Sequence, residues 1–466
     1  MLLLWLGLLA EIFILGLLRP LITNFELVSI TVVFAHIVFS VCRLIVLKNP
    51  LRWVYLAGFI GRCLLLFWDI YGRNIFSLPN SGADSEMFYL YAVAVSENSS
   101  LLGVKISGGI YSKIIGALFT FIGPQRLFGQ YVNVLLGLSV VFILNHTLRL
   151  IKLDPVTVKK IVLIAALFPN SMIMSAIFLR EIFPTFFVAC SLWLFVKWYE
   201  QGKSAHIWMS LVMLGLAGMF HSGVLSLFFG YVFMFIFYDT EKKTWLFSHK
   251  SLFTFLMISA AAIFAYSMLN QMLFSKFQNV EEWEDIYTVA NRRAGDSRYL
   301  VGLTINSPVQ IALFGPVKAL YFLFSPLPTD WRGFMDIFTF VFDSLLYLTV
   351  LWKLAASRIK LRCQKPLVIA VTLMITVSAF VFGLGVSNTG TAVRHRQKIL
   401  PAFLLLYAVQ TEEKRMKVMA HTPIALEGVS DEHRGKEDFR IGKKEVNRPQ
   451  HPVGGFERPL ITGNKK

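Results

Sequence analysis

The run LFGQYVNVLLGLSVVFILNH, residues 127–146, carries no Asp, Glu, Lys or Arg over 20 positions. A helix of that length rises roughly 30 Å, the thickness of a bilayer's hydrocarbon core. Arg126 stands immediately before it and Arg149 shortly after, as charges do at the ends of a membrane-spanning helix. Further apolar runs begin at Met1, Leu27, Trp53, Ile161, Ile182, Ala205, Gly223, Leu252, Phe334, Pro366 and Ile399. With 127–146 they predict an all-α polytopic bundle of about twelve spans. Two more apolar stretches, 106–121 and 309–324, are shorter or interrupted by Lys113, Pro316 and Lys318.

Composition agrees. Of 466 residues, 56% are hydrophobic and 16% charged, with a mean hydropathy of +0.61. A soluble domain carries roughly 25% charged residues, so most of this chain has no water to face. The 42 Phe, 15 Tyr and 10 Trp suit lipid-facing surfaces and interfacial belts. The net charge of +17 does not point to nucleic acid, because the cations sit between hydrophobic runs, where they set topology. The four cysteines, Cys42, Cys63, Cys190 and Cys363, show no close metal or redox spacing. The N-terminal run lacks a basic lead and contains Glu11, so it reads as a retained first helix rather than a cleaved signal.

Loop charges assign the sides. Arg43/Lys48/Arg52, Arg149/Lys152/Lys159/Lys160, Lys197/Lys203, Lys242/Lys243/Lys250 and the cluster from Lys353 to Lys365 all read as cytoplasmic. Between Trp53 and Arg149 a single crossing restores parity, and 127–146 supplies it. Stretches 106–121 and 309–324 are therefore expected to lie along the membrane or dip into it. The chain then divides into a transmembrane domain, 1–410, and a mixed-charge tail, 411–466, expected to be cytoplasmic and disordered. Both termini fall inside. Outside lie the loops 71–105, 275–332 and 387–398.

Those outer segments hold the residues suited to chemistry. Asp84 and Glu86 lie in Asn80-Ser-Gly-Ala-Asp84-Ser-Glu86-Met-Phe-Tyr89. They are read as an N-cap and a dipole partner of a short helix, or as a general base near the lipid boundary. Arg180-Glu181 interrupts two apolar runs, an expensive placement unless the pair reaches water or a partner. The outer stretch Asn388-Thr-Gly-Thr-Ala-Val-Arg394-His395-Arg396-Gln-Lys398 gathers cations where topology rules disfavour them, which points to an anionic ligand. Arg292, Arg293 and Arg298 could join it, although Glu281, Glu282, Glu284 and Asp285 offer ordinary pairing nearby. His221 reads as a packed polar residue. No P-loop, dinucleotide-binding turn or H-E-x-x-H motif is present.

On these residues a resemblance can be stated. Gly82-Ala-Asp84-Ser-Glu86 is similar to the acidic motif of GT-C-type membrane glycosyltransferases. Leu167-Phe-Pro-Asn-Ser171, Leu179-Arg-Glu181 and Asn388 to Arg396 resemble uncharacterised bacterial members grouped with them. The many-helix layout also resembles bacterial O-antigen and capsule polymerases. The resemblance implies a GT-C-like fold in a bacterial cytoplasmic membrane. It implies a sugar donor linked to polyprenyl phosphate or diphosphate, and a glycan or lipid-linked acceptor. Two features depart from the family. The acidic stretch follows the third hydrophobic run rather than the first, and the large C-terminal soluble domain of some members is not expected here.

The sequence-level expectation is then a membrane glycosyltransferase or polysaccharide polymerase. Asp84, with Glu86, would act as base. Arg180, Arg394, His395 and Arg396 would hold donor phosphate, with Glu181, Tyr89 and Asn388 in support. A divalent ion at Asp84 and Glu86 is admitted but not required. The competing expectations are a transporter or lipid-linked oligosaccharide flippase, and a non-catalytic assembly subunit. A transporter needs a site open to both sides, whereas these polar residues gather on one.

Overall fold

The structure is a computed structural model, and it describes residues 1–273, 287–288, 290–291, 297–356 and 365–421. The chain divides into Met1–Met419 and Ala420–Lys466, and the first unit carries the fold described below.

It is built almost wholly from helices. The chain opens with α1 (Leu2–Leu18), α2 (Phe25–Ile45) and α3 (Arg52–Phe67), the last running into a π-helical turn, Trp68–Gly72. There follow α4 (Ala83–Glu97), α5 (Ile110–Ile122) and α6 (Arg126–Leu150). Next come α7 (Pro155–Leu167), α8 (Pro169–Ala176), α9 (Ile182–Gln201), α10 (Ser204–Phe220) and α11 (Phe228–Phe237). A small antiparallel hairpin pairs β1 (Tyr238–Asp239) with β2 (Thr244–Trp245) before α12 (His249–Leu273). The remaining helices are α13 (Pro308–Phe324) and α14 (Phe334–Thr339), whose π-helical continuation Phe340–Ser344 leads into α15 (Leu345–Ala356). Last are α16 (Lys365–Gly385) and α17 (Thr389–His421).

Among the described residues, seven helices are long and apolar enough to cross a membrane, or eight if the bent pair α7–α8 counts as one. The chain is thus a multi-pass helical membrane protein. The expected starts at Ala205 and Gly223 fall in shorter apolar helices, Ser204–Phe220 and Ser222–Phe237. Those at Leu252 and Ile399 fall within α12 and α17. Stretch 106–121 becomes α5, whose 13 residues rise roughly 20 Å. Stretch 309–324 becomes α13, which contains Pro316.

The run 127–146 lies in α6, at the centre of the bundle, where residues on every side of the helix are buried. A helix that is apolar all round takes such a position. α1 instead buries Leu4, Leu8, Ile12 and Leu15 on one face and exposes Leu2, Leu6, Leu9 and Phe13 on the other, suited to lipid. Close packing between helices depends on small residues. At Gly137 of α6 an added Cβ would fall 2.7 Å from the Ser175 Cβ and 3.0 Å from the Arg62 Nε.

Two of the expected outer segments contain helix. Segment 71–105 holds α4, the short helix expected near Asp84, which packs on α5. A Cβ at Gly116 of α5 would lie 2.6 Å from the carbonyl of Ala92, so glycine sets that approach. The expected loop 387–398 is mostly helix as well, forming the first turns of α17. Asn388 Oδ1 accepts the Thr391 N–H at 3.1 Å, supplying one of the partners that a helix start leaves wanting. The boundary expected at 410 also falls inside α17, which runs to His421, while 422–466 lie outside the described residues. So do Cys363, Arg292, Arg293, Glu281, Glu282, Glu284 and Asp285. Cys42, Cys63 and Cys190 are free thiols.

Candidate functional site

The site begins with a broken helix. Pro169 lacks an N–H and holds Phe168 extended, so α7 and α8 meet at a bend of 46°. The wholly buried Arg62 of α3 donates from Nη1 to the freed Ala166 carbonyl at 2.7 Å, and from Nε to Ser175 Oγ at 3.0 Å. Residues 177–181 then leave helical geometry before α9. Irregular backbone inside a membrane protein needs internal hydrogen bonds. Asn133 of α6 supplies them, donating to the Ile177 carbonyl at 2.9 Å and the Leu179 carbonyl at 3.0 Å. The result is a pinned turn that presents Arg180 and Glu181.

Three elements meet there. α4 starts after Gly82, whose φ of 111° is one that glycine tolerates. Ser85 Oγ accepts the Gly82 N–H at 3.0 Å, so the cap is Gly82 rather than the expected Asp84. Asp84 sits one position into the helix with its side chain 53% exposed. Arg394 of α17 bridges from Nη1 to Asp84 Oδ2 at 2.6 Å and from Nη2 to Glu181 Oε1 at 2.9 Å. Lys398, one turn further, stands 3.7 Å from the same Glu181 oxygen. Glu181 is fully buried. Burial pushes its carboxyl up, but the charges of Arg394, Lys398 and Arg180 outweigh that and bring it to about 2. Arg180 lies 5.5 Å from the centre of the Phe88 ring, and its Nε is buried without a hydrogen-bond partner among the described residues.

Glu86 belongs to a different cluster. It accepts from Arg73 and, at 2.8 Å, from Arg126 Nη1. Burial would raise its carboxyl, yet the hydrogen bonds from those two arginines hold it below its ordinary value. Behind them the buried Asp69 accepts from Gln130 Nε2 at 2.5 Å and from Ser81. Asp84 and Glu86 therefore engage different arginines and do not form a paired ligand for one cation. Among the described residues, no group of three or more His, Cys, Asp or Glu could hold a metal ion.

Arg396 departs furthest from expectation. Two residues from Arg394 on a helix, it faces another way and is fully buried. Its Nη2 lies 2.6 Å from Asp343 Oδ2, and its Nη1 donates to the carbonyls of Leu323 and Ser325 at 2.8 Å each. It joins α17 to the π-helical turn at Phe340–Ser344 and does not reach the Asp84 cluster. Asn388 caps α17 and bridges to Arg298. Tyr89 donates to the Pro124 carbonyl at 3.1 Å, beneath Arg126 at 5.5 Å from its ring centre.

Comparison with family models, curated proteins and solved structures finds no match. The site is accordingly read from its own geometry. Sequence reasoning brought Asp84, Arg180, Glu181 and Arg394 together and missed Asp69, Arg73, Arg126, Gln130 and Asp343. A signal existed for two of these. Asp69 and Asp343 are carboxylates inside apolar runs, each in a π-helical turn, a feature frequent at functional sites.

Proposed function

We propose that the protein is a membrane glycosyltransferase or polysaccharide polymerase acting on the extracytoplasmic face of a bacterial cytoplasmic membrane. About twelve spans with both termini inside would place the N-terminus of α4 and the start of α17 on that face. Its donor is a sugar on polyprenyl phosphate or diphosphate, and its acceptor a glycan hydroxyl. The observation that carries this reading is a half-exposed carboxylate, Asp84, held by an arginine anchored on the buried Glu181.

In this reading the acceptor oxygen attacks the anomeric carbon and its proton passes to Asp84. The bond from that carbon to the phosphate oxygen breaks, and the polyprenyl phosphate leaves with the electron pair. Arg394 and Arg180 stabilise the charge that develops on it. Arg suits this task because its planar fork meets two oxygens at once. Arg396 is left out, since it is fully buried against Asp343 and backbone carbonyls, away from the Asp84 cluster. Glu86 is left out as base, since two arginines already hold it.

The test is deletion of the gene, followed by analysis of surface glycan length and lipid-linked intermediates. Accumulated single repeat units indicate a polymerase, and a truncated unit indicates a single-sugar transferase. Asp84→Asn, present in the membrane at normal abundance, is expected to lower transfer by about 10²–10³-fold, in the manner of other lost catalytic groups. Unchanged glycan in both strains would remove the enzyme reading.

A further inference from the structure

α17 carries a second polar junction, roughly 20 Å along its axis from Arg394 at 1.5 Å per residue. At its centre is Tyr407, which is buried. Two lysines from different helices converge on this one ring. Lys353 of α15 has its Nζ 4.3 Å from the ring centre and donates to the phenol oxygen at 3.2 Å. Lys160 of α7 has its Nζ 5.7 Å from the same centre. Packing fixes the frame on both sides. Tyr347 of α15 meets Phe403 of α17 edge to face at 4.6 Å, and Glu412 of α17 accepts the N–H of Asp154, just before α7, at 3.3 Å.

Both lysines lie within helices, so the ordinary placement of cations in loops does not account for them. The ring attracts each ammonium but neutralises neither. Among the described residues neither lysine pairs with a carboxylate. Asp154 instead caps α7 through the N–H groups of Val156 and Thr157. Donors are left over. Lys353 has used one of its three N–H bonds, and the phenol that accepts it still has a proton to give. One turn on, Gln410 is 8% exposed, and neither its Nε2 nor its Oε1 has a hydrogen-bond partner among the described residues. A buried amide with both ends unmet marks a place where a further polar group belongs. Lys160 is exposed and Lys353 half-buried, so the group opens to the surface.

We propose that Lys160, Lys353 and Tyr407, with Gln410 beside them, bind a phosphate group at the end of the bundle expected to face the cytoplasm. The site is separate from the Asp84 cluster and does not rest on the transferase reading. A phosphate suits it, because it brings negative charge and several acceptor oxygens to two unneutralised ammoniums and a free hydroxyl. The headgroup of an anionic phospholipid and free phosphate both carry that chemistry.

The full chain in mixed micelles is titrated in turn with phosphatidylglycerol, zwitterionic phosphatidylcholine and inorganic phosphate. Binding is read from the rise in the unfolding midpoint, followed by tryptophan fluorescence. A rise with phosphatidylglycerol at the lowest concentration supports a lipid headgroup, and a rise with inorganic phosphate at a comparable concentration supports free phosphate. No response to either beyond that to phosphatidylcholine overturns the site. Lys160→Gln combined with Lys353→Gln should weaken binding about 30-fold, the effect of removing two cations beside an anionic headgroup. Lys160→Arg combined with Lys353→Arg should retain it, and unchanged binding in the glutamine pair overturns the site. Lys160→Gln alone, at an exposed position, keeps the test open if the double variant does not fold, with a loss of about fivefold expected. Lys159→Gln, which removes the adjacent exposed lysine, should weaken binding less than Lys160→Gln does. Equal losses from those two would show a diffuse surface charge and overturn the proposal.

Discussion

Arg394 holds two carboxylates in different surroundings, and neutralising each in turn separates their contributions. Glu181 is fully buried and lies near Arg394, Lys398 and Arg180, while Asp84 is half exposed. Glu181→Gln keeps the shape but leaves those cations buried with less compensation, a loss that typically costs about 3–5 kcal/mol. Linkage gives a similar size. A fall from the ordinary 4.5 to about 2 corresponds to roughly 3 kcal/mol. Because Asp84 still faces Arg394, the lower end is expected. Asp84→Asn breaks a solvent-screened pair and should cost about 0–1 kcal/mol. Unfolding in mixed detergent micelles, followed by tryptophan fluorescence, measures both. The Glu181 carboxyl is lower in the folded state, so its contribution is complete above about 4.5 and lost as pH falls towards about 2. The gap between wild type and Glu181→Gln should therefore hold from about pH 7 to about pH 5 and close at lower pH. Equal losses for the two variants, or a gap that closes near neutrality, would refute the assignment of Glu181 as the anchor.

Other substitutions probe the frame around the site. Arg396→Met should cost about 3–5 kcal/mol by leaving Asp343 buried and unpaired, and adding Asp343→Leu should recover much of it. Additive losses in the same unfolding assay would show that the pair is not coupled. Gly116→Ala brings a Cβ within 2.6 Å of the Ala92 carbonyl and should destabilise by about 1–3 kcal/mol. Gly215→Ala, with nothing within 4 Å, should be neutral or stabilising, and equal effects would contradict the packing of α4 on α5. Single cysteines at 84 and 330, in a chain without its native thiols, should react with an impermeant reagent from one side, and a cysteine at 203 from the other. Labelling of 84 and 330 from opposite faces would dismantle the proposed site.

Much of this protein is legible in its sequence because hydrophobicity is local. Twenty uncharged positions at 127–146 announce a buried or lipid-facing helix whatever surrounds them, and the cations between such runs announce where the chain leaves the apolar layer. The same logic singled out Asp84, Arg180, Glu181 and Arg394 as costly residues in need of partners. Which partner each one takes is not local. Arg394 meets Asp84 across 310 positions and Glu181 across 213. Asp84 and Glu86 lie two positions apart but turn to different arginines, because two residues on a helix carry the side chain roughly 200° round the axis. Arg396 looks as available as Arg394 until α17 is seen to be a helix at that point, which carries it to Asp343. The sequence alone determined a helical membrane protein and most of its candidate charges. Only the tertiary structure decided which charges neutralise one another and which carboxylate still meets water, because burial and pairing belong to the packed helices together and to no single segment.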